Sequence, residues 1–183
     1  TDVMNETVHM DDDHSPRSIN DPLLVARLVD GTLVGPNLQQ DPHGMFSGQT
    51  NFGKTTFLDA HIKELTRCTD NVTWAICGNK PSRFFASWMA PFFEAEPDPY
   101  TGAPCQPIFD WIAGTYDEAW NMLCDAYKAV KYRQSTAAAS KDEKWHATND
   151  HPAITIVIDE SPDLLSSTTK YQAFDGEFYS VSD

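Results

Sequence analysis

The feature that most constrains the fold of this chain is an eight-residue segment, Gly48–Thr55, with the sequence GQTNFGKT. Its spacing matches the phosphate-binding loop pattern G-x-x-x-x-G-K-[ST], which joins a strand to a helix. The residues before it, Met45–Gly48, predict a short strand that runs into the loop. The residues after it predict an amphipathic helix from Lys54 to about Arg67, so both halves of the required context are expected.

The chemistry of phosphate binding explains the residue types in this segment. Backbone N–H groups of such a loop wrap the phosphates, and the helix N-terminus adds a partial positive charge. Gly53 allows a turn that a Cβ would obstruct, Lys54 reaches the β- and γ-phosphates, and the Thr55 hydroxyl binds Mg²⁺. ATP and Mg²⁺ are therefore the expected ligands, and a Gly-Lys-Thr turn that arises by chance is the alternative. The expected nucleotide-binding residues are Gly48, Gln49, Thr50, Asn51, Phe52, Gly53, Lys54, Thr55 and Thr56.

Strand-like and helix-like segments alternate along the chain, which is typical of an α/β fold. Two β-rich runs joined by an Asp-Gly pair predict a hairpin over residues 23–34. Further strands are predicted at 72–77, 108–112 and 153–158. The last of these is an apolar run of the kind that is buried on both faces in a parallel sheet.

One long amphipathic helix is predicted after the strand at 108–112. Thr115 and Glu118 have capping-box spacing, and apolar residues then recur at helical intervals as far as Val130. The proline-rich stretch 78–107 is predicted to be irregular and packed by its own aromatic side chains, with a base-stacking platform as the alternative. Residues 134–150 are predicted to form a polar surface loop.

Two carboxylates directly follow the apolar run at 153–158. A phosphate-binding loop needs an acid after a neighbouring parallel strand to hold Mg²⁺ through water. Asp159 is expected in that role, and Glu160 is expected to polarise the attacking water as general base. The alternative is a pair of solvated acids at the end of a strand. The predicted catalytic residues are thus Glu160 and Lys54, and the predicted metal ligands are Thr55 and Asp159.

The charge balance limits where nucleic acid can bind. The chain has 13 basic and 27 acidic residues, a net charge of −14, whereas a protein that grips phosphates over its whole surface is basic. DNA contact is therefore expected to be local. One basic cluster has two interpretations, a solvated helix end favoured by the helix dipole or a DNA-binding patch. Its residues are Lys128, Lys131, Arg133, Lys141 and Lys144.

The remaining composition indicates a protein of the cytoplasm. No apolar run approaches the roughly 20 residues that cross a bilayer, so this piece is expected to make no membrane contact. The four cysteines lack metal-ligand spacing and are expected to be reduced thiols. Residues 1–21 are acidic and show no apolar period, so they are predicted to be a disordered tail.

With these motifs in place, the chain resembles the motor domain of the FtsK/SpoIIIE family of DNA translocases, including its plasmid-transfer relatives. The resemblance runs from about Leu23 to Leu165. It is carried by the segment Asp30–Val34, by Pro42 and His43, by the loop Gly48–Thr55, by Lys80, by the run Ile156–Glu160 and by Leu164 and Leu165.

The resemblance implies a RecA-like fold with a mainly parallel sheet, a ring of subunits around double-stranded DNA, and ATP hydrolysis coupled to DNA movement. That movement serves chromosome segregation or conjugative plasmid transfer, in a full-length protein that can be membrane-anchored. The resemblance places the partial ATPase core at 22–165, between the tail at 1–21 and an irregular end at 166–183. The chain ends 23 residues after Glu160 (183 − 160). The family's γ-phosphate sensor is expected beyond that end, so the piece alone should be weakly active.

Two other functions remain open. A related P-loop ATPase with another cargo, such as a secretion-coupling ATPase, would keep the same catalytic residues. A nucleotide-binding module without turnover would explain why Asn51-Phe52 stands where family loops usually read Gly-Ser. DNA-stimulated ATP hydrolysis separates the three.

Overall fold

The computed structural model describes residues 14–47, 53–77, 83–99, 101–140, 145–159, 170–172 and 176–180. The helices are α1 (Lys54–Thr66), α2 (Arg83–Phe93) and α3 (Tyr116–Ser140). The strands are β1 (Ala26–Arg27), β2 (Leu33–Val34), β3 (Asn71–Ile76), β4 (Trp111–Ala113), β5 (Ala153–Ile158), β6 (Lys170–Gln172) and β7 (Phe178–Ser180). The chain divides into two compact units, the first formed by Thr1–Asn71 with His146–Ala153 and the second by Val72–Trp145 with Ile154–Asp183.

The first unit contains the predicted hairpin. Strands β1 and β2 pair antiparallel, with Ala26 opposite Val34. The turn between them needs Gly31, because its φ of 89° lies in the left-handed region that glycine adopts without strain. The Asp30 carboxylate accepts a hydrogen bond from the Thr32 N–H at 2.9 Å. The hairpin is confirmed, with strands much shorter than the β-rich runs that predicted it.

Helix α1 also agrees with its prediction, but the strand expected before the phosphate loop does not form. Ile62 and Leu65 are buried on the predicted apolar face of α1. By contrast, the described residues 42–47 form no strand, and Met45 is 82% exposed. Pro42 has no N–H to donate to a neighbouring strand, and Gly44 favours conformations other than an extended strand. The short apolar run here therefore has no strand with which to pair. The prediction of a strand at Met45–Gly48 is wrong for its described residues.

Residues 14–21, expected to belong to a disordered tail, pack specifically in the first unit. Ile19 is buried, and its N–H donates to the Asp70 carboxylate at 2.8 Å. The Ser18 hydroxyl donates to the other Asp70 oxygen at 2.6 Å, and the Arg17 N–H donates to the Arg67 carbonyl at 2.8 Å. These acceptors lie about fifty positions further along the chain, so local composition did not reveal them. Residues 1–13 lie outside the described residues.

A buried carboxylate, Glu64, ties this segment to the end of α1. Its side chain is 5% exposed and accepts from the Arg67 guanidinium at 2.7 Å and from the Arg17 guanidinium at 3.3 Å. The Leu24 N–H donates to the same carboxylate at 3.2 Å. The two guanidinium groups offset the cost of burying the carboxylate, and the backbone donor adds a further hydrogen bond.

The second unit is built on a parallel sheet with the strand order β4-β3-β5. In the ladder between β3 and β4, Trp74 lies opposite Trp111 and Ile76 opposite Ala113. The predicted strands at 72–77 and 153–158 are confirmed, and the one at 108–112 starts three residues later. Strand β5 is only partly covered because it lies at the edge of the sheet, which corrects the expectation that both its faces are buried.

Helix α2 replaces part of the irregular structure expected between residues 78 and 107. It covers Arg83–Phe93, and of the six prolines in that stretch only Pro91 lies within it. Pro91 lies close to the end of the helix, and the other five prolines lie outside it, so the proline content of the stretch does not exclude a helix. Phe85 is buried and meets Phe109 edge-on at 5.1 Å between ring centroids, so at least this aromatic belongs to the core, as predicted.

Helix α3 begins as predicted and extends further. The Thr115 hydroxyl accepts from the Glu118 N–H at 3.2 Å, and the Glu118 carboxylate accepts from the Thr115 N–H at 3.1 Å, which confirms the capping box. The helix continues to Ser140, so the surface loop predicted at 134–150 is wrong for residues 134–140. Three consecutive alanines, the best helix formers, extend the helix there.

The C-terminal residues include a hairpin instead of the expected irregular end. Strands β6 and β7 pair antiparallel, with Tyr171 opposite Tyr179. The Tyr171 ring stacks on Trp120 at 5.2 Å between centroids, and its hydroxyl donates to the Asp117 carboxylate at 2.8 Å. These contacts attach the hairpin to the first turns of α3, around a core of Ile76, Ala113, Ala119 and Met122.

At the level of fold class, the α/β prediction is confirmed. The chain is a mixed α/β protein with a three-stranded parallel sheet flanked by helices and with an antiparallel β-hairpin. Among the described residues, no helix combines the length and the apolar character that crossing a membrane requires.

We predict that Glu64→Gln destabilises the protein by about 3–5 kcal/mol, because it leaves two partly buried guanidinium groups without a counter-charge. Denaturant unfolding of wild type and variant measures the difference. Asp125→Asn is the matched control, since it breaks the exposed ion pair of Asp125 with Lys128 and should change little. Equal stability of Glu64→Gln and wild type would contradict the prediction.

Candidate functional site

The start of α1 has the backbone geometry that a phosphate-binding loop requires at its end. Gly53 is the N-cap residue, with φ 81° and ψ 14° in the left-handed region. A Cβ at Gly53 would meet no atom within 4 Å, so the backbone conformation and not lack of space favours glycine here. Lys54, Thr55 and Thr56 follow in the first turn, and all three are exposed.

The electrostatics of this helix end suit an anion. The first turn of α1 contains no acidic residue, and no side chain caps it. The first hydrogen bond within the helix runs from the Phe57 N–H to the Gly53 carbonyl at 2.9 Å. The N–H groups ahead of Phe57 cannot pair inside the helix, so the positive end of the helix dipole is presented together with the Lys54 ammonium.

The structure therefore describes four of the nine predicted nucleotide-binding residues, and it brings these four together. They are Gly53, Lys54, Thr55 and Thr56, at one end of one helix. The other five, at 48–52, lie outside the described residues. So do the predicted general base Glu160 and the family-derived Lys80.

Asp159, the predicted metal-binding acid, belongs to the second unit and directly follows β5. Its backbone N–H donates to the Ile76 carbonyl at the end of β3, at 3.0 Å. Cys77, which directly follows β3, donates its backbone N–H to the Ala113 carbonyl at 2.9 Å. The carboxyl ends of the three strands thus meet at one edge of the sheet, and ligands of open α/β sheets bind beyond this edge. Asp159 as a whole residue is partly buried.

Sequence reasoning missed a cluster of three rings around the start of α1. Phe46 meets Phe57 edge-on, with 4.8 Å between ring centroids and 86° between ring planes. The His61 imidazole lies 4.9 Å from the Phe46 ring and 4.5 Å from the Phe57 ring. The spacing of four between Phe57 and His61 indicates a shared helix face. Nothing local indicates the contact of either with Phe46.

The protonation state of His61 follows from its surroundings. Its Nδ1 lies 2.8 Å from the Phe57 carbonyl oxygen, which can only accept, so Nδ1 carries a proton. Its Nε2 is buried without a hydrogen-bond partner. Burial lowers the pKa of His61, and the hydrogen bond to the Phe57 carbonyl opposes this effect only in part. The ring is therefore neutral near pH 7.

The basic cluster on α3 pairs within the second unit. Lys128 forms an ion pair with Asp125 at 2.7 Å, and the Lys131 ammonium lies 5.1 Å from the Tyr127 ring centroid. The Arg133 guanidinium stacks over the Trp145 ring at 4.4 Å. These contacts favour a solvated, internally paired helix over a DNA patch. Lys141 and Lys144 lie outside the described residues.

Neither a metal-binding cluster nor a reactive thiol at Cys68 competes with this site in the described part of the chain. No three His, Cys, Asp or Glu side chains come together there in a group that could hold a metal ion. Burial, reinforced by the nearby Asp70 and Glu64 carboxylates, raises the pKa of the Cys68 thiol to about 12. Cys68 is therefore a neutral thiol at physiological pH and a poor nucleophile.

Comparisons of the chain with protein-family models, with curated proteins and with solved structures found no match. The candidate site is defined by its own chemistry, the start of α1 in the first unit, whose electrostatics suit an anion. The carboxylate of Asp159 is a second candidate feature, at the sheet edge of the second unit.

We predict that His61 makes the protein less stable in acid. Its pKa in the folded state lies below the 6.5 of an unfolded chain, so the unfolded state binds the proton more readily. Stability should therefore fall as pH decreases through 6.5 towards the lowered pKa, and it should be fully present above 6.5. Urea unfolding between about pH 5 and 8 measures this slope.

His61→Phe, which keeps a ring in the cluster, should flatten the pH dependence relative to wild type. The exposed His151→Gln is the control and should keep the wild-type slope. If His61→Phe and wild type lose stability equally on acidification, then the buried imidazole is not the group responsible.

Proposed function

We propose that this chain is the ATP-binding part of a P-loop ATPase that couples ATP hydrolysis to the translocation of double-stranded DNA. The observation that carries nucleotide binding is the start of α1. There a left-handed Gly53 leads into a first turn with an exposed lysine and two threonines and without an acidic residue. The coupling to DNA rests on the resemblance to the FtsK/SpoIIIE motors.

The two predicted metal ligands belong to different units, and each is of a chemical type that Mg²⁺ accepts. This ion prefers oxygen ligands and usually takes only one or two from protein, with phosphate oxygens and water completing its shell. Thr55 is an exposed residue that offers a hydroxyl, and Asp159 is a partly buried residue that offers a carboxylate. When bound, Mg²⁺ would neutralise charge on the phosphates. Lys54 would bind the β- and γ-phosphates, and Glu160 would take the proton from the attacking water.

In this proposal the piece described here supplies nucleotide binding, and DNA is held by the assembled motor. With a net charge of −14, its surface should repel duplex DNA, most strongly at low salt. The basic side chains of α3 pair within the second unit, so they add little attraction. In the proposed ring of subunits, DNA would be contacted locally and not by the bulk surface of this chain.

A second candidate is a nucleotide-binding module without turnover. Residues 42–47 form no strand before the loop, and a strand normally fixes the loop against the sheet. The start of α1 could still bind phosphates through its backbone N–H groups and Lys54. Turnover makes a further demand, because water and acid must be held in line for attack.

We predict that Lys54→Ala lowers the affinity for ATP–Mg²⁺ at least tenfold, about 1.4 kcal/mol, because it removes the charge that faces the phosphates. The fold should persist, since Lys54 is exposed in the first turn of α1. Lys63→Ala is the control, a lysine in the last turn of the same helix. Equal affinity of Lys54→Ala and wild type in calorimetry would refute the phosphate role.

We predict that Glu160→Gln binds ATP but hydrolyses it about 10²–10⁴ times more slowly, because the amide cannot act as a general base. Asp159→Asn should weaken the Mg²⁺-dependent part of binding. Turnover is measured in the protein at its full natural length, with and without duplex DNA. An unchanged rate in Glu160→Gln would reject the assignment of the base. Absence of turnover in wild type would favour the nucleotide-binding module.

A further inference from the structure

Two half-exposed phenylalanines bracket the phosphate-binding segment. Phe46 is 45% exposed and stands two positions before Gly48, while Phe57 is 37% exposed and stands four positions after Gly53. Their rings are in contact edge-on, at 4.8 Å between centroids and 86° between planes, so they form an angled aromatic surface on which a base can stack against one ring and contact the other.

This surface is supported from within the first unit. His61 is 6% exposed and packs against both rings, at 4.9 Å from Phe46 and 4.5 Å from Phe57. Its Nδ1–H is fixed on the Phe57 carbonyl, so the imidazole cannot turn freely. The two phenylalanine rings are therefore held in place before any ligand arrives, which lowers the entropic cost of binding.

The surface also lies within reach of the phosphate-binding helix end. Phe57 follows Lys54 by three residues, which corresponds to about 4.5 Å along the helix axis. A nucleotide with its phosphates at the helix start extends over a greater distance than this, so its base can reach the two rings. Aromatic side chains bind bases by stacking, since every base has a π-face.

We propose that Phe46 and Phe57 form a stacking surface for the base of the bound nucleotide, with His61 as the residue that positions them. This inference rests on the proposed function, and it deepens it by naming how the base is held. Phenylalanine rings have no hydrogen-bonding groups, and the His61 Nε2 is buried away from solvent. The surface therefore stacks on any purine base and makes no hydrogen bonds to the edge of the base. The affinities for ATP and GTP should differ by only a few-fold.

The test compares ATP, GTP and inorganic tripolyphosphate, each with Mg²⁺, by calorimetry on the 183-residue chain. Stacking of one base should make ATP bind about 5- to 150-fold more tightly than tripolyphosphate. Phe57→Leu keeps apolar bulk but removes the ring. It should lower the affinity for ATP to nearly that for tripolyphosphate and leave the affinity for tripolyphosphate unchanged. Phe57→Tyr should restore the preference for ATP.

Two further variants keep the test decisive. Phe46→Leu should reduce the preference for ATP in the same way, even if Phe57→Leu fails to fold. Phe93→Leu alters an exposed phenylalanine of the second unit and should leave all three affinities unchanged. Circular dichroism of each variant separates loss of stacking from loss of structure.

Several results would overturn the inference. If wild type binds ATP and tripolyphosphate equally, the phosphate site stands and the stacking surface does not. A preference for ATP that survives both leucine variants would place the base elsewhere. A strong preference for ATP over GTP would show that the base edge is read. If wild type binds none of the three, the proposed function itself fails. Sedimentation that shows a wild-type dimer broken by Phe57→Leu would assign the surface to self-association.

Discussion

Parallel pairing of β3 with β4 and β5 is the constraint that organises the second unit. Parallel strands cannot be joined by a tight turn, so each connection must travel back along the sheet. Helix α2 lies in the first connection and α3 in the second, and α3 supplies Ala119 and Met122 to the core against the sheet. The same pairing aligns the carboxyl ends of the three strands. The position of Asp159 is thus a consequence of sheet topology, since any residue that follows β5 must emerge at this edge.

The two ends of helix α1 in the first unit favour charges of opposite sign. Its start has a left-handed glycine and no acidic residue, which leaves the positive end of the dipole available to an anion. Its other end carries Glu64, an unfavourable position for a carboxylate because the dipole is negative there. Arg17 and Arg67 offset this cost and bind the carboxylate from both sides. The chain segment that contains Arg17 therefore stabilises the helix whose opposite end is proposed to bind phosphate.

The elements that the sequence predicted are those whose determinants are local. Helix α1, the capping box of α3 and strands β3 and β5 follow from periodicity or from contacts a few residues apart. Residues 14–21 could not be predicted in the same way, because Ser18 and Ile19 find their acceptor at Asp70. Helix α2 was hidden by the prolines that flank it. The candidate site shows the same division. The residues from Gly53 to Thr56 were predicted from their spacing, and the contact of Phe46 with Phe57 was not.

Phosphate binding and turnover make different demands on the chain. In the proposed site, phosphates would be bound by groups that lie together in sequence, namely backbone N–H groups, a glycine and Lys54, so binding would need few other residues. Turnover also needs charge stabilised on the transferring phosphoryl group, and an arginine commonly supplies a factor of about 10³–10⁵. Arg17 and Arg67 cannot be redirected to that task without leaving Glu64 buried and unpaired, and Arg133 stacks on Trp145. P-loop motors often take the stabilising arginine from a neighbouring subunit. In the proposed motor, that arrangement would make hydrolysis depend on assembly while nucleotide binding does not.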